Sequence, residues 1–263
     1  MMNRLYIISS GAGGESYISA EAREALRECE VVVSYVKYAK ELKELLEGKE
    51  VITSGMTKEI QRCKEAIDSA LSGKTTAIIS NGDVNVYGMA TLIVEMVDEE
   101  NLWERLEVRS LPGVTALLAV ASKAGAPLSQ DFAVVSLSDR LTDIEVIRRR
   151  VEAALEGDFV LGIYNPKSRS RVKPYEMFLE RLANYPDRPV VVASNVGRER
   201  EKIVYTSSHK LVEAGVENPD MGMSTLLLVG NSNSRFTKNG KVLTPRGYFD
   251  KYDSAGELKG SRE

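Results

Sequence analysis

One carboxylate in this chain sits on a turn where chemistry could be done. Residues 77–90 read AIISNGDVNVYGMA. The first four form a short apolar run with a small polar end, the pattern of a buried parallel strand. Asn81-Gly82-Asp83 then breaks the run, because glycine admits positive φ while asparagine and aspartate bond to nearby backbone. From Val86 onward the apolar positions Val86, Ala90, Ile93, Val94 and Val97 follow a helical period. Strand, acidic turn and helix together carry Asp83 to the carboxyl end of a sheet, where open α/β sheets bind ligands. The same geometry suits an aspartate that merely caps the helix, and the residues leave both roles open.

Other polar turns follow other apolar runs: Pro112-Gly113-Val114-Thr115-Ala116, Tyr164-Asn165, and Asn195-Val196-Gly197-Arg198. They offer backbone donors, amides, a hydroxyl and one carboxylate, a set suited to a polar, zwitterionic ligand. They offer no nucleophile with its base, so the catalytic residues stay unassigned. The single histidine, His209, beside Lys210, reads as a surface residue, and no metal cage can be assembled around it. A GxG pair, Gly11 and Gly13, follows the first strand and invites a dinucleotide reading. That reading fails because Ser16 stands at the third glycine position and Ser34-Tyr35, not an acid, ends the second strand.

Alternating elements must position these turns. Strands are predicted at 5–8, 31–33, 51–52, 77–80 and 108–111, with helices between them, one capped by Ser19, one beginning at Thr57 and one at Val86. That alternation means βαβ units and a mostly parallel sheet. Gly125-Ala126-Pro127 interrupts it, which predicts a boundary: residues 1–124 as an N-terminal α/β domain, 125–249 as a C-terminal one, and 250–263 as a polar, frayed tail. In the second half, strands are expected at 132–137, 159–164, 190–193, 202–206 and 225–229, with a capping box at Thr142–Glu145. The strand at 202–206 is expected to pair antiparallel with its predecessor, since the connection is too short for a helical crossover.

The bulk numbers exclude several classes. The 263 residues carry 35 basic and 38 acidic side chains, a net charge of −3, well mixed, so no field favours nucleic acid or a membrane surface. Cys29 and Cys63 lack CxxC spacing, which predicts reduced thiols in a cytoplasmic protein. No apolar run approaches the ~20 residues that span a bilayer, and residues 5–8 are too few for a signal peptide.

Several longer blocks carry a resemblance. The stretch 80–90 is similar to SSGDPGVYGMA, residues 111–116 to a PGVTA segment, and 125–139 (GAPLSQDFAVVSLSD) to GAPLxHDFxxISLSD. Residues 164–171 resemble YNPxSxxR, Val196-Gly197-Arg198 a basic turn, and 230–232 with 244–248 the GNS and TPRGY ends of the same pattern. In these blocks the chain resembles the tetrapyrrole methylases, class III methyltransferases dependent on S-adenosylmethionine, and within them the C17-methyltransferases of cobalamin biosynthesis.

The resemblance implies two α/β domains with a cofactor cleft between them, and a homodimer. It implies S-adenosyl-L-methionine as methyl donor, held by Asn81, Gly82, Asp83, Val86, Thr115, Ala116, Asn165 and Val196, with no protein-bound metal. It implies a tetrapyrrole substrate, precorrin-3B or cobalt-factor III, methylated at C17 as the ring contracts, its carboxylates met by Lys167, Arg169, Arg171 and Arg198. Another ring carbon, another substrate, or non-catalytic binding of an adenosyl ligand or tetrapyrrole are the alternatives. The chain departs from the pattern at Val84 and Asn85, where the family has Pro and Gly, at Gln130, where it has His, and in a first loop without Pro or Asp. If Val84 has φ near −65° and needs no backbone N–H, Val84→Pro is expected to stiffen the turn and tighten cofactor binding.

Overall fold

The computed structural model describes residues 2–259. The chain forms two compact units, one comprising residues up to Ala119 together with Val196–Glu199, the other Val120–Asn195 and the residues from Arg200 onward. The division falls five residues before the expected one, inside a helix. Gly125-Ala126 is no free linker: it forms a short strand paired with Val242–Leu243 of the second unit.

In the first unit the elements run β1 (Asn3–Ser9), α1 (Ala20–Glu28), β2 (Val31–Tyr35), α2 (Val36–Glu41), β3 (Glu50–Ser54), α3 (Glu59–Leu71), β4 (Thr76–Ser80), α4 (Ala90–Glu99), β5 (Leu106–Leu111) and the start of α5 (Ala116–Ala124). The five strands form one parallel sheet in the order β3-β2-β4-β1-β5. Alternation along each strand divides the core. Leu5, Ile7, Val31, Val33 and Ile78 face Cys63, Ala66 and Ile67 of α3 and Ile93 and Val97 of α4. Tyr6, Ile8, Val32, Ala77 and Ile79 face Ala22, Ala25 and Leu26 of α1. Thus adjacent strands β1 and β4 send their chains to opposite faces. Their carboxyl ends flank a topological switch point, the place where such sheets open a crevice.

The Ser19 cap is present, its hydroxyl accepting the Ala22 N–H at 3.1 Å. Two helix starts differ from expectation. Helix α4 begins at Ala90, not Val86, because Tyr87 has φ 56° and a side chain on Gly88 would meet the Val84 carbonyl oxygen at 2.5 Å. The apolar period at Val86 therefore belongs to a tightly wound turn, closed by the Ala90 N–H on the Val84 carbonyl. Helix α3 begins at Glu59, since Thr57 takes φ 62°, outside helical space.

The second unit continues with β6 (Gly125–Ala126), β7 (Phe132–Ser136), α6 (Ile144–Glu156), β8 (Val160–Tyr164), α7 (Lys173–Leu182), β9 (Pro189–Ser194), β10 (Lys202–Ser207), α8 (Ser208–Ala214), β11 (Thr225–Val229), β12 (Arg235–Phe236), β13 (Val242–Leu243) and α9 (Tyr248–Lys251). Its main sheet has the order β10-β9-β11-β8-β7, with β7 and β8 parallel and the other pairs antiparallel, β9–β10 among them as the short connection required. Leu161, Ile163, Val190, Val192, Leu227 and Val229 pack against Ile147, Val151, Phe178 and Leu211 of the helices. Asp143, not Thr142, caps α6, its carboxylate accepting the Glu145 N–H at 2.7 Å; an aspartate there also suits the helix dipole. The expected frayed tail is folded through Lys259: α9 is followed by a Tyr252–Leu258 bridge, and the Asp253 carboxylate accepts the N–H groups of Ala255 and Glu257. Residues 260–263 lie outside the described residues.

Candidate functional site

In the first unit, the loops after β1, β4 and β5 are laced together at the carboxyl edge of the sheet. Ser10 N–H donates to the Ser80 carbonyl at 2.9 Å, and Gly11 and Gly82 exchange backbone bonds at 3.1 and 2.7 Å. The approach leaves no room for side chains. A Cβ on Gly113 would lie 2.5 Å from Ser9 Cβ and 2.6 Å from the Gly82 oxygen, and one on Gly13 would lie 2.8 Å from Arg198 Cγ. The first-loop glycines therefore serve loop-to-loop packing, which agrees with the failure of the dinucleotide pattern.

Of the two roles left open, Asp83 does not take that of a cap on α4. Its Oδ1 accepts the Asn85 N–H at 2.8 Å and its Oδ2 the Gly113 N–H at 3.0 Å. The residue before α4, Met89, makes no side-chain cap. The carboxylate instead ties the β4 loop to the β5 loop, a charge-assisted link between segments thirty residues apart. Next to it, the buried Val84 N–H donates to Ser9 Oγ at 2.9 Å, and Ser9 is itself fully buried. That N–H is needed, so the condition attached to Val84→Pro fails.

Asn81 is held from the side. Its Oδ1 accepts Arg198 Nη2 at 2.6 Å, while Glu41 takes Nε at 2.8 Å and Nη2 at 3.1 Å, and the Ala12 carbonyl takes Nη1 at 2.8 Å. This bidentate pair with its added acceptors occupies the Arg198 fork. Arg198 joins the first loop, α2 and the Asn81 turn. Val196 beside it is buried.

What the braces leave is a shelf of backbone and small side chains. A Cβ on Gly82, which has φ 68°, would find its nearest neighbour at 3.9 Å, Thr115 Cα. Val86, Thr115 and Ala116 around it are half-buried.

The remaining expected residues lie in the second unit. Asn165, at φ 50° after β8, donates from Nδ2 to Ser136 Oγ at 3.0 Å. Its carbonyl accepts Arg171 Nη1 at 2.8 Å, and the same nitrogen donates to the Leu137 carbonyl. Burial pulls the Arg171 pKa below its usual value, against the opposing pull of Asp139. Lys167 donates to the Val216 carbonyl, whereas Arg169 is exposed. Arg171 and Lys167 thus tie loops together through backbone carbonyls. Sequence reasoning located the Gly113 turn but not its bond to Asp83, and it missed Glu41 and Ser9, whose partners are distant in the chain. Among the described residues, no group of three or more His, Cys, Asp and Glu side chains gathers as a metal site.

Comparison with known proteins adds to this geometry. A family model described as Tetrapyrrole (Corrin/Porphyrin) Methylases matches residues 4–211. A probable cobalt-factor III C(17)-methyltransferase of Salmonella typhimurium is 41% identical over 93% of this chain and 99% of its own length. One of Methanocaldococcus jannaschii is 38% identical over 94% and 99%. A cobalt-factor III methyltransferase of Priestia megaterium is 39% identical over 96% of this chain, which spans 46% of that longer protein. The crystal structure of the methyltransferase CobJ superposes with a TM-score of 0.84 at 31% identity, covering 92% of this chain and 100% of that one.

Proposed function

Because this chain belongs to the tetrapyrrole (corrin/porphyrin) methylase family, we propose that it transfers a methyl group from S-adenosylmethionine to C17 of cobalt-factor III, with contraction of the ring. The observation that carries the reading is the end-to-end similarity to relatives bearing that name, 38–41% identical and covered over 99% of their length. The cobalt-bearing substrate is favoured over its metal-free counterpart because a precorrin-3B C(17)-methyltransferase of Sinorhizobium is more distant, at 33%.

S-adenosylmethionine, when bound, supplies an electrophilic methyl on a sulfonium that leaves as a neutral thioether. The electron-rich ring carbon supplies the electron pair for the new C–C bond as the S–CH₃ bond breaks. Little covalent chemistry then falls to the protein, whose part is proximity, orientation and exclusion of water. Asn81, Gly82, Val86, Thr115 and Ala116 offer the adenosyl group its surface in the first unit. Asp83 acts through Gly113 by fixing the distance between the two loops, and Arg198 acts by bracing Asn81. In the second unit Asn165 orders the β8 loop.

The test is incubation with S-adenosylmethionine and cobalt-factor III. S-adenosylhomocysteine and a product one methyl group heavier, with the new methyl on C17 by NMR, are expected. No turnover, or methylation at another carbon, overturns the reading. The homodimer implied by the resemblance is tested separately by light scattering.

A further inference from the structure

We propose that Arg140 and Leu141, at the tip of the loop between β7 and α6, grip the tetrapyrrole, Arg140 through a peripheral carboxylate and Leu141 against the apolar ring. The inference deepens the proposed function and takes the substrate's chemistry from it. Leu141 is 100% exposed, and Arg140 beside it is exposed as well. A leucine wholly in water contributes nothing to folding, whereas covering it would release apolar surface from water.

The tip rests on a fixed base. Leu137 N–H donates to the Tyr164 carbonyl at 2.9 Å, Ser138 N–H to Ser136 Oγ at 3.2 Å, and Asn165 Nδ2 to the same hydroxyl at 3.0 Å. The Arg171 guanidinium, only 10% exposed, bonds both the Leu137 and Asn165 carbonyls, with Asp139 3.9 Å from its Nε. At the far end, Asp143 caps α6. Residues 139–142 therefore project from the carboxyl edge of the parallel pair β7–β8 with both ends anchored. Such pre-organisation lowers the entropy lost on binding.

Two neighbouring cations are committed elsewhere. Lys167 and Arg171 serve backbone carbonyls, and the like charge of Arg140 is itself felt by Arg171. A phosphate or an acidic peptide would use Arg140 and leave Leu141 in water. An apolar macrocycle rimmed with carboxylates uses both.

The test is an absorbance titration of cobalt-factor III with the full-length protein. Arg140→Ala should weaken binding by about tenfold, the scale of one hydrogen-bonded charge. Leu141→Ser should weaken it by roughly three- to tenfold, through lost apolar contact. Arg140→Lys should recover part of the loss. Arg149→Ala, an exposed arginine on α6, should change nothing, and calorimetric affinity for S-adenosylhomocysteine should be unchanged in all variants. Unaltered tetrapyrrole affinity in Arg140→Ala and Leu141→Ser overturns the inference, as does an equal loss in Arg149→Ala or a wild-type protein that does not bind. Wild-type binding without methyl transfer would instead refute the proposed reaction and leave the grip measurable.

Discussion

Val84 and Ser9 form a coupled pair whose energetics can be worked through. Val84→Pro deletes an N–H that bonds Ser9 Oγ at 2.9 Å, in a place where both residues are 0% exposed. The proline ring carbon bonded to that nitrogen would press on the hydroxyl now accepting the hydrogen. Leaving a buried polar group without its partner costs about 1–3 kcal/mol, against roughly 0.4–1 kcal/mol gained from a stiffer unfolded chain. The single variant should therefore be less stable by about 1–2 kcal/mol, before any steric cost. Ser9→Ala strands the Val84 N–H instead and should lose about 1–3 kcal/mol. With both changes neither polar partner remains and the clash is gone. The double variant should return to within ~1 kcal/mol of wild type, because removing both partners of a buried hydrogen bond is nearly neutral. The expected coupling is therefore about 1–5 kcal/mol, outside the additivity of independent sites.

The assay is urea denaturation of all four proteins at one pH and temperature, with affinity for S-adenosylhomocysteine measured alongside. Additive losses would refute the reasoning, as would a Val84→Pro protein more stable than wild type or one that binds the cofactor product more tightly. Any of these results would mean that the turn takes a backbone path in which the Val84 N–H has no work at Ser9.

Three further outcomes follow from the same structure. Arg198→Ala should lower stability by about 1–3 kcal/mol, since it strands a Glu41 side chain that is 21% exposed; a normal melting temperature with a raised KM for the tetrapyrrole would return Arg198 to substrate binding. Cys29 and Cys63 are buried and their thiols are pushed up to about 12 by burial, so neither should be alkylated in the folded protein at pH 8, and rapid stoichiometric labelling would contradict this. Burial alone would raise the Asp187 pKa, but hydrogen bonds from the His209 N–H and from Ser207 and Ser208 outweigh it and hold the carboxyl below its usual value. A depressed carboxylate stabilises the fold above its unfolded pKa and loses that contribution as pH falls through the folded one. Asp187→Asn should therefore flatten the acid limb of a stability profile, and an unchanged limb would refute the assignment.

The strands were legible because a short apolar run bounded by turn residues has few other uses in a chain of this length. All five parallel strands of the first unit begin and end within a few residues of their expected limits. The start of α4 was not legible, because Val86 satisfies a helical period while Tyr87 and Gly88 impose a wound turn that only their three-dimensional neighbours reveal. The site divides in the same way. Asn81-Gly82-Asp83 is local turn chemistry and could be located from residue types alone. The partners of its side chains could not, since Gly113 lies thirty residues from Asp83 and Arg198 is 117 from Asn81 and 157 from Glu41. A charged residue on a turn offers the same letters whether it waits for a ligand or holds a loop. Here Asp83, Arg171 and Arg198 all hold loops. Braces of this kind also let Val84 replace a proline, because Ser9 supplies the acceptor that the restored N–H demands.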